Sequence, residues 1–100
     1  MVKHIVFFKL KAQANGATKA ENARSIKEKL EALRGRIPGL RHLEVGLNFA
    51  AGDAAWDIAL YSELESREAL ERYQNHPEHQ KAAEFIGSVR ESRALVDYEA

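Results

Sequence analysis

One short segment, running from Tyr73 to His79, brings together side chains that can exchange protons. It reads Tyr73-Gln-Asn-His76-Pro77-Glu78-His79 and contains two of the four histidines and one of the three tyrosines of the chain. Histidine is the side chain whose unperturbed pKa lies closest to neutral pH, and it is a frequent general acid or base for that reason. Tyrosine adds a phenolic O–H that can donate a hydrogen bond. The segment therefore predicts a small-molecule site in which His79 transfers protons with the help of Tyr73.

The same residues also have structural interpretations. His76 can cap a helix or fill a turn, and His79 can be a core histidine bonded to a backbone carbonyl. Tyr73 can be a large packing group. A metal site of His76, Glu78 and His79 is a further alternative, but the proline between them turns the first histidine out of the helix, and no complete ligand spacing is present. We expect neither a metal nor a cofactor.

Two consecutive helices are expected to carry this segment. Ser66 is suited to cap a short helix that carries Leu70 and Tyr73. That helix must stop before Pro77, because the residue preceding a proline disfavours helical geometry, and the proline itself suits the first turn of a second helix. The inward stripe of the second helix is predicted to comprise Ala82, Ala83, Ile86 and Val89. His79 lies one turn before the two alanines, so we expect it to face inward as well.

The first strand, Val2 to Lys11, is expected to bring a third polar side chain to the site. Successive side chains of a strand point to opposite faces, so one face of this strand carries His4, Val6, Phe8 and Leu10. If this face meets the helices, His4 converges with Tyr73 and His79 on an apolar pocket. The residues expected to line that pocket are His4, Val6, Phe8, Ala83 and Ile86.

The opposite face of the same strand carries Ile5 and Phe7 and is also apolar in its middle. A small open sheet normally keeps one face in water. Of the 45% of residues that are hydrophobic, 16 are alanines, which leaves 29 larger apolar side chains in the chain of 100 residues, a modest number for the core of a monomer. Both observations predict that a second copy of the chain covers this face.

The remaining elements follow from a helix cap and from alternating patterns. Thr18 and Glu21 match a capping box after a loop over residues 12–17. The helix that follows carries apolar residues at helical spacing, namely Ile26, Leu30, Leu33 and Ile37. Alternation predicts three further strands, at Arg41 to Phe49, Trp56 to Leu64 and Arg93 to Glu99. The order is β-α-β-β-α-β, which is the ferredoxin-like α+β arrangement of an antiparallel sheet with its helices on one face.

Composition and charge exclude several classes of function. A chain of 100 residues is expected to be a single domain over 1–100. It has no cysteine, which fits a reducing, cytoplasmic location. Fifteen basic residues balance fifteen acidic ones, so we expect neither nucleic-acid nor membrane partners. No glycine-rich loop follows a strand, and nucleotide binding therefore has no support.

These motifs resemble the stress-responsive A/B barrel domain (Dabb, dimeric α+β barrel) family over nearly the whole chain. The resemblance begins with His4-Ile5-Val6 and Phe8-Lys9 in the first strand and ends with Val96-Asp97-Tyr98. Between them the matching segments are Ile37-Pro38-Gly39-Leu40, Glu44-Val45-Gly46-Leu47-Asn48, Trp56-Asp57-Ile58-Ala59-Leu60 and Leu70 to His79.

The resemblance implies a ferredoxin-like protomer that pairs with a second copy to form a barrel-like homodimer. In the olivetolic acid cyclase-type enzymes of the family, the positions of Tyr73 and His79 promote an aldol condensation without a cofactor. The matching interpretation here is acid/base catalysis on a small, apolar or carbonyl-containing ligand. The aromatic residues that line the cyclase pocket from the first helix are replaced by Asn22, Ala23 and Ile26, so a long-chain polyketide pocket is not expected. A non-catalytic stress-response or assembly protein is the alternative.

Overall fold

The computed structural model describes residues 1–100, which form a four-stranded antiparallel sheet with helices packed on one face. The strands are β1 (Val2–Leu10), β2 (Gln13–Ala14), β3 (Ala17–Thr18), β4 (Leu40–Leu47), β5 (Ile58–Leu64) and β6 (Arg90–Glu99), and the helices are α1 (Lys19–Glu31), α2 (Arg67–Asn75) and α3 (Pro77–Val89). The main sheet has the strand order β4-β5-β1-β6. This confirms the predicted ferredoxin-like α+β fold.

Strand β1 lies in the middle of the sheet and divides its side chains between two faces. The residues at alternate positions from Val2 to Leu10 are buried, as predicted, and they include His4. The four apolar ones belong to one core together with Ile26 of α1 and Val89 of α3. Burying apolar area on this face is the main force that holds the helices on the sheet.

Helix α1 starts as predicted but ends early. Thr18 and Glu21 form the capping box, with a 3.2 Å bond from the Glu21 N–H to the Thr18 hydroxyl and a 3.0 Å bond in return. The prediction that Leu33 and Ile37 are helical is wrong, because α1 ends at Glu31. Gly35 has a φ of +75°, a left-handed conformation that a continuing helix cannot contain. Leu33 and Ile37 are nevertheless buried, in the turns that follow the helix.

The break between α2 and α3 follows the predicted chemistry. The Ser66 hydroxyl accepts a hydrogen bond from the Ala69 N–H and caps α2. Pro77 occupies the first turn of α3. The imidazole of His76 caps α3, since its Nδ1 atom accepts the Glu78 N–H at 3.1 Å. His76 therefore serves the helix break itself.

Several predicted boundaries differ from the structure. Where a loop over residues 12–17 was predicted, the short strands β2 and β3 pair as a hairpin. Its turn consists of Asn15 and Gly16, which both have positive φ angles. Such Asn-Gly pairs favour tight hairpins, a signal that the loop prediction overlooked. Phe49 and Trp56 lie outside the strands, because β4 ends at Leu47 and β5 begins at Ile58.

Two differences concern the C-terminal part of the chain. Ala83 is exposed rather than part of the buried stripe of α3, because the core contacts fall on Ala82, Ile86 and Val89. The last strand begins at Arg90, earlier than the predicted start at Arg93, and pairs with β1 along nearly its whole length.

The face of the sheet opposite the helices is uncovered and partly apolar. We call it the outer face. Register places Phe7 of β1 between Ala59 of β5 and Ala94 of β6, with Ile5 and Val96 paired beside them. Phe7 is 40% exposed and Val96 is 58% exposed.

None of the three helices is long and apolar enough to span a membrane.

Candidate active site

A cleft of about 180 Å³ lies between β1 and α3, and we call it the His79 cleft. Strand β1, helix α3 and the first residues of strand β6 contribute most of its wall. Its lining comprises His4, Val6, Phe8, Leu30, Leu60, His79, Ala83, Ile86, Arg90 and Arg93. All five side chains expected to line a pocket line this one cleft, and Ala83 is exposed although it belongs to the lining.

His79 is half-buried in the first turn of α3, and its hydrogen bond determines which ring nitrogen is basic. Its Nδ1 atom lies 3.2 Å from the backbone carbonyl oxygen of Gln74. A carbonyl oxygen can only accept, so Nδ1 carries the proton and Nε2 keeps the free electron pair. Burial lowers the pKa of His79, and the nearby Arg93 lowers it further, although the bond to Gln74 opposes the shift. The neutral imidazole with a basic Nε2 atom is the favoured form.

Tyr73 is fully buried next to His79 but is not among the residues that line the His79 cleft, and its hydroxyl has no protein partner. The two ring centres are 4.4 Å apart, and the His4 ring stands edge-on to Tyr73 at 6.1 Å. The Tyr73 hydroxyl makes no hydrogen bond although it is buried. A buried polar group without a partner costs about 1–3 kcal/mol of stability. Burial also raises the pKa of Tyr73, so the phenol stays protonated and can donate.

His4 is held in place by Asp97, a residue that the sequence analysis did not include in the site. The His4 Nδ1 atom lies 2.5 Å from Asp97 Oδ1. The two residues are direct partners in the pairing of β1 with β6, so their side chains share a face of the sheet. A carboxylate bonded to Nδ1 fixes the orientation of an imidazole and leaves Nε2 available. Only the register of the two strands reveals this pair, and alternation within each strand does not contain it.

Residues 2–100 match the family model of the Stress responsive A/B Barrel Domain. The chain belongs to this family. This match agrees with the resemblance drawn from the motifs.

Relatives of this Dabb protein share its fold over most of its length. An uncharacterized protein from Streptomyces coelicolor is 35% identical over 82 residues, which are 80% of each chain. A solved structure from Bacteroides fragilis, of a dimeric protein of unknown function with a ferredoxin-like fold, is 43% identical with a TM-score of 0.85, and the match covers 99% of this chain and 95% of that one. The hydroxynitrile lyase of Passiflora edulis is 22% identical with a TM-score of 0.78, covering 97% and 90%, which shows a common fold.

A larger hollow lies elsewhere on this Dabb protein but lacks the chemistry of the cleft. Its volume is about 520 Å³, and it lies beside Phe7, Trp56 and the connection between β4 and β5. Its lining contains no titratable side chain. No three histidine or carboxylate side chains lie together in a way that could hold a metal ion. Of these two cavities, only the His79 cleft is lined by side chains that can exchange protons.

Proposed function

We propose that the His79 cleft binds a small carbonyl-bearing molecule and that His79 acts on it as a general base. The observation that carries this proposal is the buried Tyr73 hydroxyl without a partner, on a ring whose centre lies 4.4 Å from that of an imidazole with a free Nε2 atom. Native proteins rarely leave a buried hydroxyl unpaired, and a ligand oxygen is a partner that would satisfy it.

The proposed step moves one proton. His79 Nε2 takes a proton from a carbon next to the carbonyl group, and the electron pair of that C–H bond forms an enolate. Tyr73 donates its O–H to the enolate oxygen and stabilises the charge that develops there. His4, oriented by Asp97, supplies a further polar group on the opposite wall. Return of the proton, or attack by the enolate carbon on a second carbonyl within the ligand, completes the reaction without a cofactor.

The fold of the relatives is consistent with such chemistry. The Passiflora hydroxynitrile lyase shares the ferredoxin-like fold, and lyase or cyclase chemistry by acid/base groups is the class we infer for this chain. Tyr73 and His79 are the proposed catalytic residues. A cytoplasmic location stays a prediction.

We also propose that the protein is a homodimer that pairs through its outer faces. The apolar band of Ile5, Phe7 and Val96 supports this, because exposed apolar side chains that lie next to one another are typical of interfaces. The Bacteroides relative, 43% identical, is a dimeric protein, which supports the same arrangement. The dimer would leave the His79 cleft on the other side of each sheet.

Exchange of carbon-bound hydrogen for deuterium tests the proposed base. We expect the wild-type protein to accelerate exchange next to the ketone of levulinate and of its neutral amide, levulinamide, as followed by proton NMR in D₂O. His79→Gln should abolish the acceleration, because an amide is not a base. The matched control is His42→Gln, which changes an exposed histidine of β4 and should leave the rate unchanged.

The non-catalytic alternative gives a different result. If His79 only bridges the helix break through Gln74, the wild-type protein does not accelerate exchange, and His79→Gln lowers the thermal unfolding midpoint instead. Equal rates in the wild type and in His79→Gln, measured on folded protein, would contradict the proposed role.

A further inference from the structure

Two arginines belong to the wall of the His79 cleft. Arg90 and Arg93 both line it, at the start of β6. The other titratable groups of the cleft are the histidines His4 and His79, and no carboxylate lines it. The ion pairs that involve arginine engage Arg34, Arg41 and Arg67, whereas the two arginines of the cleft pair with no carboxylate. The wall of the cleft therefore carries positive charge that no ion pair of the protein neutralises.

An irregularity in β6 places both arginines on the same side of the sheet. Residues three apart in a regular strand point to opposite faces. Here Arg93 pairs with Phe8 and Arg90 pairs with Leu10, with a register shift at Lys9 and Leu10. Phe8 and Leu10 both face the helices and are buried. The bulge thus turns Arg90 toward the face that Arg93 already shares, and bulges of this kind often redirect side chains near binding sites.

We propose that Arg90 and Arg93 bind a carboxylate of the ligand, so that the cleft selects short-chain oxo acids over neutral ketones. This inference rests on the proposed function of the same cleft. Guanidinium groups bind carboxylates through paired, charge-assisted hydrogen bonds. The ketone oxygen would lie at Tyr73 and His79, and the carboxylate at the arginines. His79 and Arg93 both line this one small cleft, so a short ligand can reach both groups.

The volume of the cleft favours a short ligand. At about 180 Å³ the cleft is small, about a third of the volume of the hollow beside Phe7 and Trp56, which is about 520 Å³. Levulinate, which joins a ketone to a carboxylate through two methylene groups, is a probe of suitable size. Its neutral amide, levulinamide, keeps the ketone and removes the charge, whereas pentanoate keeps the charge and removes the ketone.

Titration of the three probes, followed by NMR of the labelled protein, separates the two ends of the site. We expect levulinate to bind on the order of tenfold more tightly than levulinamide. Arg93→Gln should remove most of this preference, and Arg90→Gln part of it, without changing the affinity for levulinamide. The control is Arg24→Gln, which removes the same charge from an exposed position of α1 and should change neither affinity.

Different comparisons test the arginine end and the ketone end of the proposed site. Equal affinities for levulinate and levulinamide overturn the role of the arginines, and so does an Arg24→Gln variant that loses as much levulinate affinity as Arg93→Gln. If none of the three probes binds, the proposed role of the arginines is overturned as well. If levulinate and pentanoate bind equally while the carboxylate preference persists, the arginines are supported and the proposed role of Tyr73 in holding a ketone is wrong.

Discussion

Tyr73 is a residue at which stability and function are expected to oppose each other. Its hydroxyl is buried without a partner, whereas the hydroxyl of Tyr61 accepts a 2.9 Å hydrogen bond from Lys3 and donates to Glu63. An unpaired buried polar group destabilises the fold, and sites of this kind persist where a ligand uses them.

We therefore predict that Tyr73→Phe leaves the free energy of unfolding unchanged or raises it by about 1 kcal/mol, while ligand binding is lost. Urea denaturation measures the first effect and the levulinate titration the second. Tyr61→Phe is the matched control, and it should lose up to about 1 kcal/mol with binding intact, since its hydroxyl bonds are partly exposed. A clear loss of stability in Tyr73→Phe would show that the hydroxyl has a partner within the protein.

At the scale of elements, the turn before β4 positions the helix that carries Tyr73. Gly39 has a φ of +87°, and a Cβ atom added there would lie 2.7 Å from the Cβ of Ala69 in α2. Gly35 has a similar φ of +75° but no atom within 4 Å of its added Cβ. An alanine at either position would have to adopt the unfavourable left-handed backbone conformation. Only at position 39 would its side chain also clash with α2.

Gly35→Ala should therefore lose about 1–2 kcal/mol of unfolding free energy from left-handed backbone alone. Gly39→Ala should lose about 1–3 kcal/mol more, because α2 must shift. That shift moves Tyr73, so Gly39→Ala should also weaken levulinate binding. Denaturant midpoints of the two variants provide the comparison, and equal losses would show that contact between the turn and α2 does not constrain the helix.

Features that depend on neighbouring residues could be predicted from the sequence, whereas features that depend on pairing between distant strands could not. Caps are local, so Thr18 and Ser66 correctly marked the starts of α1 and α2. Alternation is also local, and it assigned His4 to the buried face of β1. The partnership of His4 with Asp97 depends on register between strands that are far apart in sequence, and local patterns do not contain register.

Two other features were missed for the same physical reason. The position of Arg90 depends on a bulge in β6, which forms only when that strand pairs with β1. The early end of α1 was missed because Leu33 and Ile37 keep helical spacing while being buried in turns. Periodicity reports which side chains are buried, and here it could not distinguish a helix from turns that bury the same residues.

At the scale of the whole molecule, the two faces of the sheet have separate roles in our account. The helix-covered face contains the His79 cleft, and the outer face is proposed to bind a second copy. Phe7→Glu places a charge in the middle of the outer face, and it should shift the protein toward monomer or aggregate in sedimentation velocity, because burying an unpaired charge is costly. Ala20→Glu adds the same charge on the exposed side of α1 and should leave the dimer intact. A soluble, native dimer of the Phe7→Glu variant would mean that the copies pair elsewhere.

The pH dependence of levulinate deuterium exchange shows directly whether His79 is a base in a cleft for a carbonyl compound. Because burial holds the pKa of His79 below its ordinary value of 6.5, the neutral base is already present at neutral pH. The wild-type rate should therefore fall as the pH decreases through a midpoint below 6.5 and level off above it, and this titration should be absent in His79→Gln. A rate that only follows hydroxide concentration, alike in both proteins, would contradict the account.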